Sequence, residues 1–353
     1  MPDYSPRPLL PTPPSLVQNG RFQLGTYKAP FAEINPLDAE VRFSHWPRSL
    51  KRFRLKEWQH FAFANERVYV SLAVFDAKLL ALAQVCVYDR ALGKTIFHEK
   101  KLLPGQLKPL PNALFDARFA LDTKDFRITL HNHLTQGTHH ITFEVAATRT
   151  LPAISGQFTC FESLDHTEPI VVCLPFDQGR ALYSHKCITP TQGTLYLGEQ
   201  QIDFQKDRSY GLIDIHKGYY PHTMTWQWAT GGGYRQDGAL LGFNLTNNQV
   251  QDQHAYNENC LWVDGKLHLL PPVQFSYPSA DGLGPWSIRD AYGRVDLTFQ
   301  PEVIRKVDLN AIVIQSRYRG PYGAFNGFLL DNDGNKHTVE RWFGMCEDFF
   351  LRV

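Results

Sequence analysis

The feature that most constrains this chain is a two-residue rhythm of apolar and polar side chains that recurs along its length. In RVYVSLAVF (67–75), Val68, Val70, Leu72 and Val74 fall on one face of an extended strand. In DFRITLHNHL (125–134), Phe126, Ile128 and Leu130 alternate with Arg127, Thr129 and His131. After the TQGT turn, Ile141, Phe143 and Val145 resume the apolar face, which predicts a hairpin with one buried side. Asp264-Gly265 and Asp333-Gly334 supply further hairpin turns between apolar runs. Helical periodicity is confined to a weak candidate around 76–83. Many short strands at close spacing predict an all-β protein of barrels or sandwiches. The pattern is interrupted in FESLDHTEPIVVCLPFDQG, at Glu168-Pro169 and Leu174-Pro175. The expected organisation is an extended proline-rich arm over 1–16, one β half over 17–170 and a second over 171–353.

Charge and cysteine content narrow the functional classes. Lysine plus arginine (36) nearly cancels aspartate plus glutamate (35), so no overall field favours nucleic acid or an anionic surface. No run approaches the roughly 18 apolar residues that span a bilayer. Six scattered cysteines without a CxxC pair fit reduced thiols, and a cytoplasmic location is expected.

Most apparent motifs have a plainer reading. His131 and His133 share a strand face, with His139 and His140 just across the turn. No carboxylate or cysteine stands at matching spacing, so a solvated polar face is expected, with neither metal nor cofactor. LLDNDGNKHTVE lacks the glycine and glutamate positions of a calcium loop and reads as a hairpin turn. Gly231, Gly232 and Gly233 are not followed by the Lys-Ser/Thr of a phosphate loop, and flexibility at a strand end is the expected role.

Two segments carry more chemistry. In RLKEWQHFAF (54–63), extended geometry puts Glu57, Gln59 and Phe61 on one face and Trp58 and His60 on the other. In YGLIDIHKGYYPHTMTWQWATGGG (210–233), which opens on Tyr210, Asp214 and His216 share a face. Trp226 and Trp228 share a face of the next strand, with a turn suggested at Gly218 and Pro221. Spacing leaves two readings open. An acid, an imidazole and two indoles line a pocket, or the polar pair satisfies itself and the tryptophans are core.

These segments also carry a resemblance. Together with APFAEINPLDA (29–39), YSHKCITPTQGTLYLG (183–198) and GAFNGFLLDNDG near the C-terminus, they resemble the bacterial domain-of-unknown-function 2804 family across nearly the whole chain. More distantly, Glu57-Trp58 and the run from Gly211 to Trp228 are similar to motifs of the carotenoid hydratase, AttH and tocopherol cyclase-like superfamily. Ile213 stands where that superfamily usually has tryptophan, and Gln59-His60 replaces Trp-Tyr. The resemblance implies two tandem lipocalin-like antiparallel β-barrels around a hydrophobic small molecule. It also implies a cofactor-independent isomerase, hydratase or cyclase acting on a lipid-like or isoprenoid substrate, with a non-catalytic carrier as the alternative. On that reading Asp214 is a protonated acid raised by burial and His216 is its orienter or proton relay. Trp226 and Trp228 are cation-stabilising walls, Glu57 is a reserve acid, and Lys186 pairs with a carboxylate. Trp58 and Tyr210 complete the ligand contacts.

Overall fold

The computed structural model describes residues 3–41, 47–78, 81–103, 105–107, 114–177, 179–277, 283–310 and 315–352. The protein is all-β, two tandem barrel-like sheets, as the alternation predicts. Among the described residues the one α-helix is the short Arg48–Arg54. The weak helix expected around 76–83 is absent from its described residues. Asp76 ends the strand Val68–Asp76 and Ala81 opens the strand Ala81–Asp89, with residues 79 and 80 outside the description.

The first sheet runs, by hydrogen-bonded neighbours, from Lys94–Leu102 through Lys56–Ala64, Tyr210–Gly218 and Arg180–Leu197 to Ala117–Asp122. Its curl depends on the long strand Arg180–Leu197. The first part of that strand pairs with Tyr210–Gly218, and its second part pairs with Ile154–Phe161. The second sheet, of nine strands, has Thr223–Tyr234 and Lys336–Arg352 at its middle. The chain passes from one sheet to the other at Tyr219–Pro221 and His222, beyond the division expected near residue 170. The prolines near that point do not end the first sheet, since Pro175 pairs with Ala181 inside it. The N-terminal arm is not free. Arg7 is buried and donates to Leu270 O (3.0 Å) and Asn259 O (3.1 Å), which straps the arm to the second half.

Three apolar clusters follow from this arrangement. One fills the first barrel, one fills the second, and one lies between them, including Ala62, Leu212, Trp228 and Tyr322. The strand Tyr210–Gly218 is buried along its whole length for this reason. Ile213 and Ile215 face the first barrel's core, while Leu212, Asp214 and His216 face the seam. The three glycines 231–233 lie inside the seam strand and are not a flexible end. A Cβ on Gly232 would stand 3.0 Å from Leu241 O and 3.4 Å from the Tyr210 ring, and one on Gly231 would stand 3.1 Å from the Phe325 ring. Their role is close approach between layers.

Candidate functional site in the seam

The strands Tyr210–Gly218 and Thr223–Tyr234, adjacent in sequence, do not pair. They lie in different sheets and face one another across a cavity of about 430 Å³. The cavity is therefore between the two barrels rather than inside either one. Its walls are mostly aromatic and aliphatic, with Trp58, Trp226, Trp228, Phe75, Tyr220 and Phe349 prominent. Trp58 stacks on His216, centroids 4.8 Å apart and planes 23° apart, and leans on Trp226 at 5.9 Å.

The cavity brings together six of the residues expected from the sequence: Trp58, Lys186, Asp214, His216, Trp226 and Trp228. Two others do not line it. Glu57 points to the opposite face, where its carboxylate holds Lys78 (2.6 Å) and Lys217 (3.1 Å). Alternation along Lys56–Ala64 separates it from Trp58, which removes it as a reserve acid for this cavity. Tyr210 packs beside Gly232 and donates its hydroxyl to Phe343 O, in the seam but away from the cavity.

At one end of the cavity Asp214 lies 2.8 Å from His216 Nε2, off the line of a hydrogen bond, 3.6 Å from Lys186 Nζ and 3.8 Å from His60 Nδ1. Burial alone would raise its carboxyl pKa. The charges of His216 and Lys186 outweigh that and hold it well below the usual carboxylate range. These neighbours favour the ionised form of Asp214, against the protonated acid that the resemblance implies at this position. Burial likewise works against the Lys186 ammonium, yet Asp214 and Glu258 keep its pKa above the ordinary value. Lys186 reaches Glu258 Oε1 at 3.2 Å and sits 5.0 Å from the Trp228 ring centroid. Several polar atoms here, including Glu258 Oε2 and the Tyr220 hydroxyl, accept or donate no hydrogen bond within the described structure.

A second carboxyl lines the same cavity and was not singled out from the sequence. Glu347 stands on Lys336–Arg352, directly across the ladder from Trp228. It accepts from the Tyr318 hydroxyl (2.9 Å) and from Trp226 Nε1 (3.2 Å). Burial raises its pKa, and these two neutral donors offset that only in part, so the acid stays above the ordinary glutamate value. No cation stands at hydrogen-bond distance from it among the described contacts.

The histidines of this hairpin divide between two faces. His131 and His133 are partly exposed on the outside of the first barrel, near Asp116, which supplies the carboxylate that sequence spacing did not reveal. His139 is fully buried inside, with Nε2 2.8 Å from Glu162, and His185 approaches the other oxygen of Glu162 at 2.7 Å. A solvated polar face is therefore wrong for His139. All six cysteines are buried free thiols. Among the described residues, no helix is long and apolar enough to cross a membrane.

A family model described as a domain of unknown function (DUF2804) matches residues 10–352, so the chain belongs to that family. No curated protein matches it. Among solved structures it is similar to kievitone hydratase from Nectria haematococca. Identity is 8% over 84% of this chain and 88% of that one, with a TM-score of 0.47.

Proposed function

We propose that this member of the DUF2804 family binds an unsaturated hydrophobic small molecule in the seam cavity and moves a proton on it. The reaction class is that of an isomerase, hydratase or cyclase on a lipid-like or isoprenoid substrate. One observation carries the reading: two carboxyls line a single apolar cavity with their proton affinities pushed in opposite directions. Paired titratable groups driven apart in this way supply an acid and its complement at the same pH. Glu347, whose proton affinity burial raises, is the proton donor to an alkene carbon. Asp214, kept ionised, stabilises the positive charge that develops and orients the neighbouring His216. The indoles of Trp58, Trp226 and Trp228 offer aromatic faces to a cation and exclude water from it. After protonation, loss of a proton from the adjacent carbon to the Glu347 carboxylate left behind gives isomerisation. Capture by water, whose extra proton passes to the same carboxylate, gives hydration. Capture by a second double bond, followed by loss of a proton to that carboxylate, gives ring closure.

A non-catalytic carrier is the second reading. It is favoured by the pairing of Lys186 with Glu258, whose Oε1 also accepts from Thr246 Oγ1 at 2.9 Å, because that network is partly satisfied without any substrate. Solvent deuterium separates the two. Protein in D2O is incubated with farnesol or geranylgeraniol, and the recovered probe is weighed by mass spectrometry. The enzyme reading expects deuterium in the probe, slowed by a factor of about 10²–10⁴ in Glu347→Gln, the usual cost of losing a general acid. Binding of the probe to that variant is retained. Tight binding with no deuterium incorporation in the wild type selects the carrier.

A further inference from the structure

We propose that Asp116, His131 and His133, on the outer face of the first barrel, form a binding site for a divalent transition metal, best suited to Zn²⁺. The site is separate from the seam cavity, since none of the three lines it. Its geometry follows from sheet register rather than from flexible side chains meeting by chance. His131 and His133 alternate with the inward Leu130 and Asn132 on Phe126–His133, so both imidazoles leave the same face. The next strand, Ala117–Asp122, pairs Ala117 with Asn132, which sets Asp116 beside His133 at the point where the ladder ends.

Asp116 is also held in place. It takes a left-handed backbone conformation (φ 46°), which Asp adopts more readily than most residues. Two positions earlier Leu114 is fully buried, and its carbonyl accepts the Leu134 N–H at 3.2 Å. The carboxylate Oδ1 consequently lies 3.1 Å from His133 Nδ1 and 3.5 Å from His131 Nε2. One ligand atom from each of the three falls within 4.8 Å of the others. Two ligands of a tetrahedral zinc, each about 2.0–2.1 Å from the ion, stand about 3.3 Å apart. The two separations from the carboxylate bracket that value, and the imidazoles are already in contact through His133 Nε2 and His131 Nδ1 at 3.0 Å, so an ion would draw in rings that stand together.

The donor set chooses the metal. Two imidazoles and one carboxylate suit Zn²⁺ and its transition-metal neighbours over Mg²⁺ or Ca²⁺, which prefer all-oxygen shells. His140 pairs across the ladder with His131, and its ring lies 6.0 Å from that of His133; with its Nδ1 3.1 Å from Thr159 Oγ1, it would have to turn to serve as a fourth ligand. Ala117–Asp122 is the terminal strand of the sheet path. A bound ion would fasten the segment leading into that edge to the neighbouring strand, where an open edge is otherwise free to pair with other chains.

Full-length protein, stripped with a chelator and dialysed, is titrated with zinc sulfate by calorimetry and its bound zinc counted by mass spectrometry. One zinc per chain and a raised melting temperature are expected. His131→Ala and His133→Ala should each weaken binding at least about 100-fold, the upper range for loss of even an outer-shell partner. The metal-free melting temperature should stay near wild type in both. Asp116→Asn, at a largely exposed position, keeps the test open if a histidine variant misfolds, and should also weaken binding. Arg118→Ala removes the cation that register places beside His131 and should tighten it. His254→Ala, exposed and remote in sequence, should leave it unchanged. No stoichiometric zinc in the wild type overturns the proposal, as does equal affinity in wild type and the His131 and His133 variants.

Discussion

Two buried carboxylate–histidine clusters lie on opposite sides of the first sheet, and they differ in what their partners leave over. Inside the first barrel both oxygens of Glu162 are taken by histidines, at 2.7 and 2.8 Å. His139 continues the chain to Asn132 and from there to Gln59. In the seam, Asp214 has three cationic or ionisable neighbours, yet its Oδ1 makes no aligned hydrogen bond and the cavity opens beside it. Both carboxyls are held below their ordinary range by neighbours that overcome burial. Low proton affinity therefore does not distinguish a functional acid group from a structural one. On the proposed reading, what sets the seam group apart is hydrogen-bonding capacity left facing a cavity.

The largest effect should come from breaking the closed cluster. Glu162→Ala leaves His139 and His185 buried without their anion, and removing one partner of such a pair costs about 3–5 kcal/mol. Urea denaturation of wild type and variant measures it. A loss under about 1 kcal/mol would mean that the cluster is dispensable to the fold.

The same cluster sets an acid limit. Burial pushes the Glu162 carboxyl up, but the charges and hydrogen bonds of His185 and His139 bring it down to about 2, against 4.5 ordinarily. Because the folded value is the lower one, its stabilising contribution is complete above about pH 4.5 and falls away as pH drops toward 2. Stability measured across that window should decline in wild type more steeply than in Glu162→Ala. Parallel curves would assign the acid sensitivity to other carboxylates.

Asp214→Asn should cost less. Lys186 keeps Glu258 as a counter-charge, so no buried ammonium is left alone, and the loss should be about 1–3 kcal/mol, that of one charged hydrogen-bonding partner. If the variant were as unstable as Glu162→Ala, the seam cluster would be structural as well, and its place in a proton-transfer site would fall.

What was legible in the sequence was face, and what was not was pairing. Period two correctly put Asp214 with His216, Trp226 with Trp228, and Glu57 opposite Trp58. It also carried an unused signal: His139 shares its alternation with Ile141, Phe143 and Val145, all of them buried. An imidazole on that face had to find a partner indoors, and Glu162 was the one it found. Glu347 left no such trace. Its strand reaches Trp228 only through the ladder between Thr223–Tyr234 and Lys336–Arg352, a long-range pairing that no local pattern specifies. Asp116 was hidden in the same way, since its approach to His133 depends on where the Ala117–Asp122 ladder ends. A pocket was one of the two readings that spacing left open, but its place between the sheets was not legible. A turn at Gly218 and Pro221 does not say whether the strands it joins will pair or, as here, change sheets and become opposite walls.

The smallest expected effect is the most specific. Trp226→Phe keeps an aromatic wall but removes one of the two donors to Glu347, whose carboxyl that hydrogen bond draws downward. Without it the Glu347 pKa should rise further, and the neutral, proton-donating form should persist to higher pH. Activity that needs this form is lost as pH rises through its pKa, so the alkaline limb of the pH profile should move upward. Stability should change by no more than about 1.5 kcal/mol, the ordinary net worth of one hydrogen bond. Infrared titration of the neutral carboxyl band that disappears in Glu347→Gln reads the shift without any substrate. Trp228→Phe is the control, because its indole donates to Asn244 Oδ1 (2.7 Å) and not to Glu347. An upward shift in Trp226→Phe alone would tie the indole to the tuning of this acid. Equal behaviour in both variants would leave Trp226 as wall only, with burial and the Asp214 charge the causes of the raised pKa at Glu347.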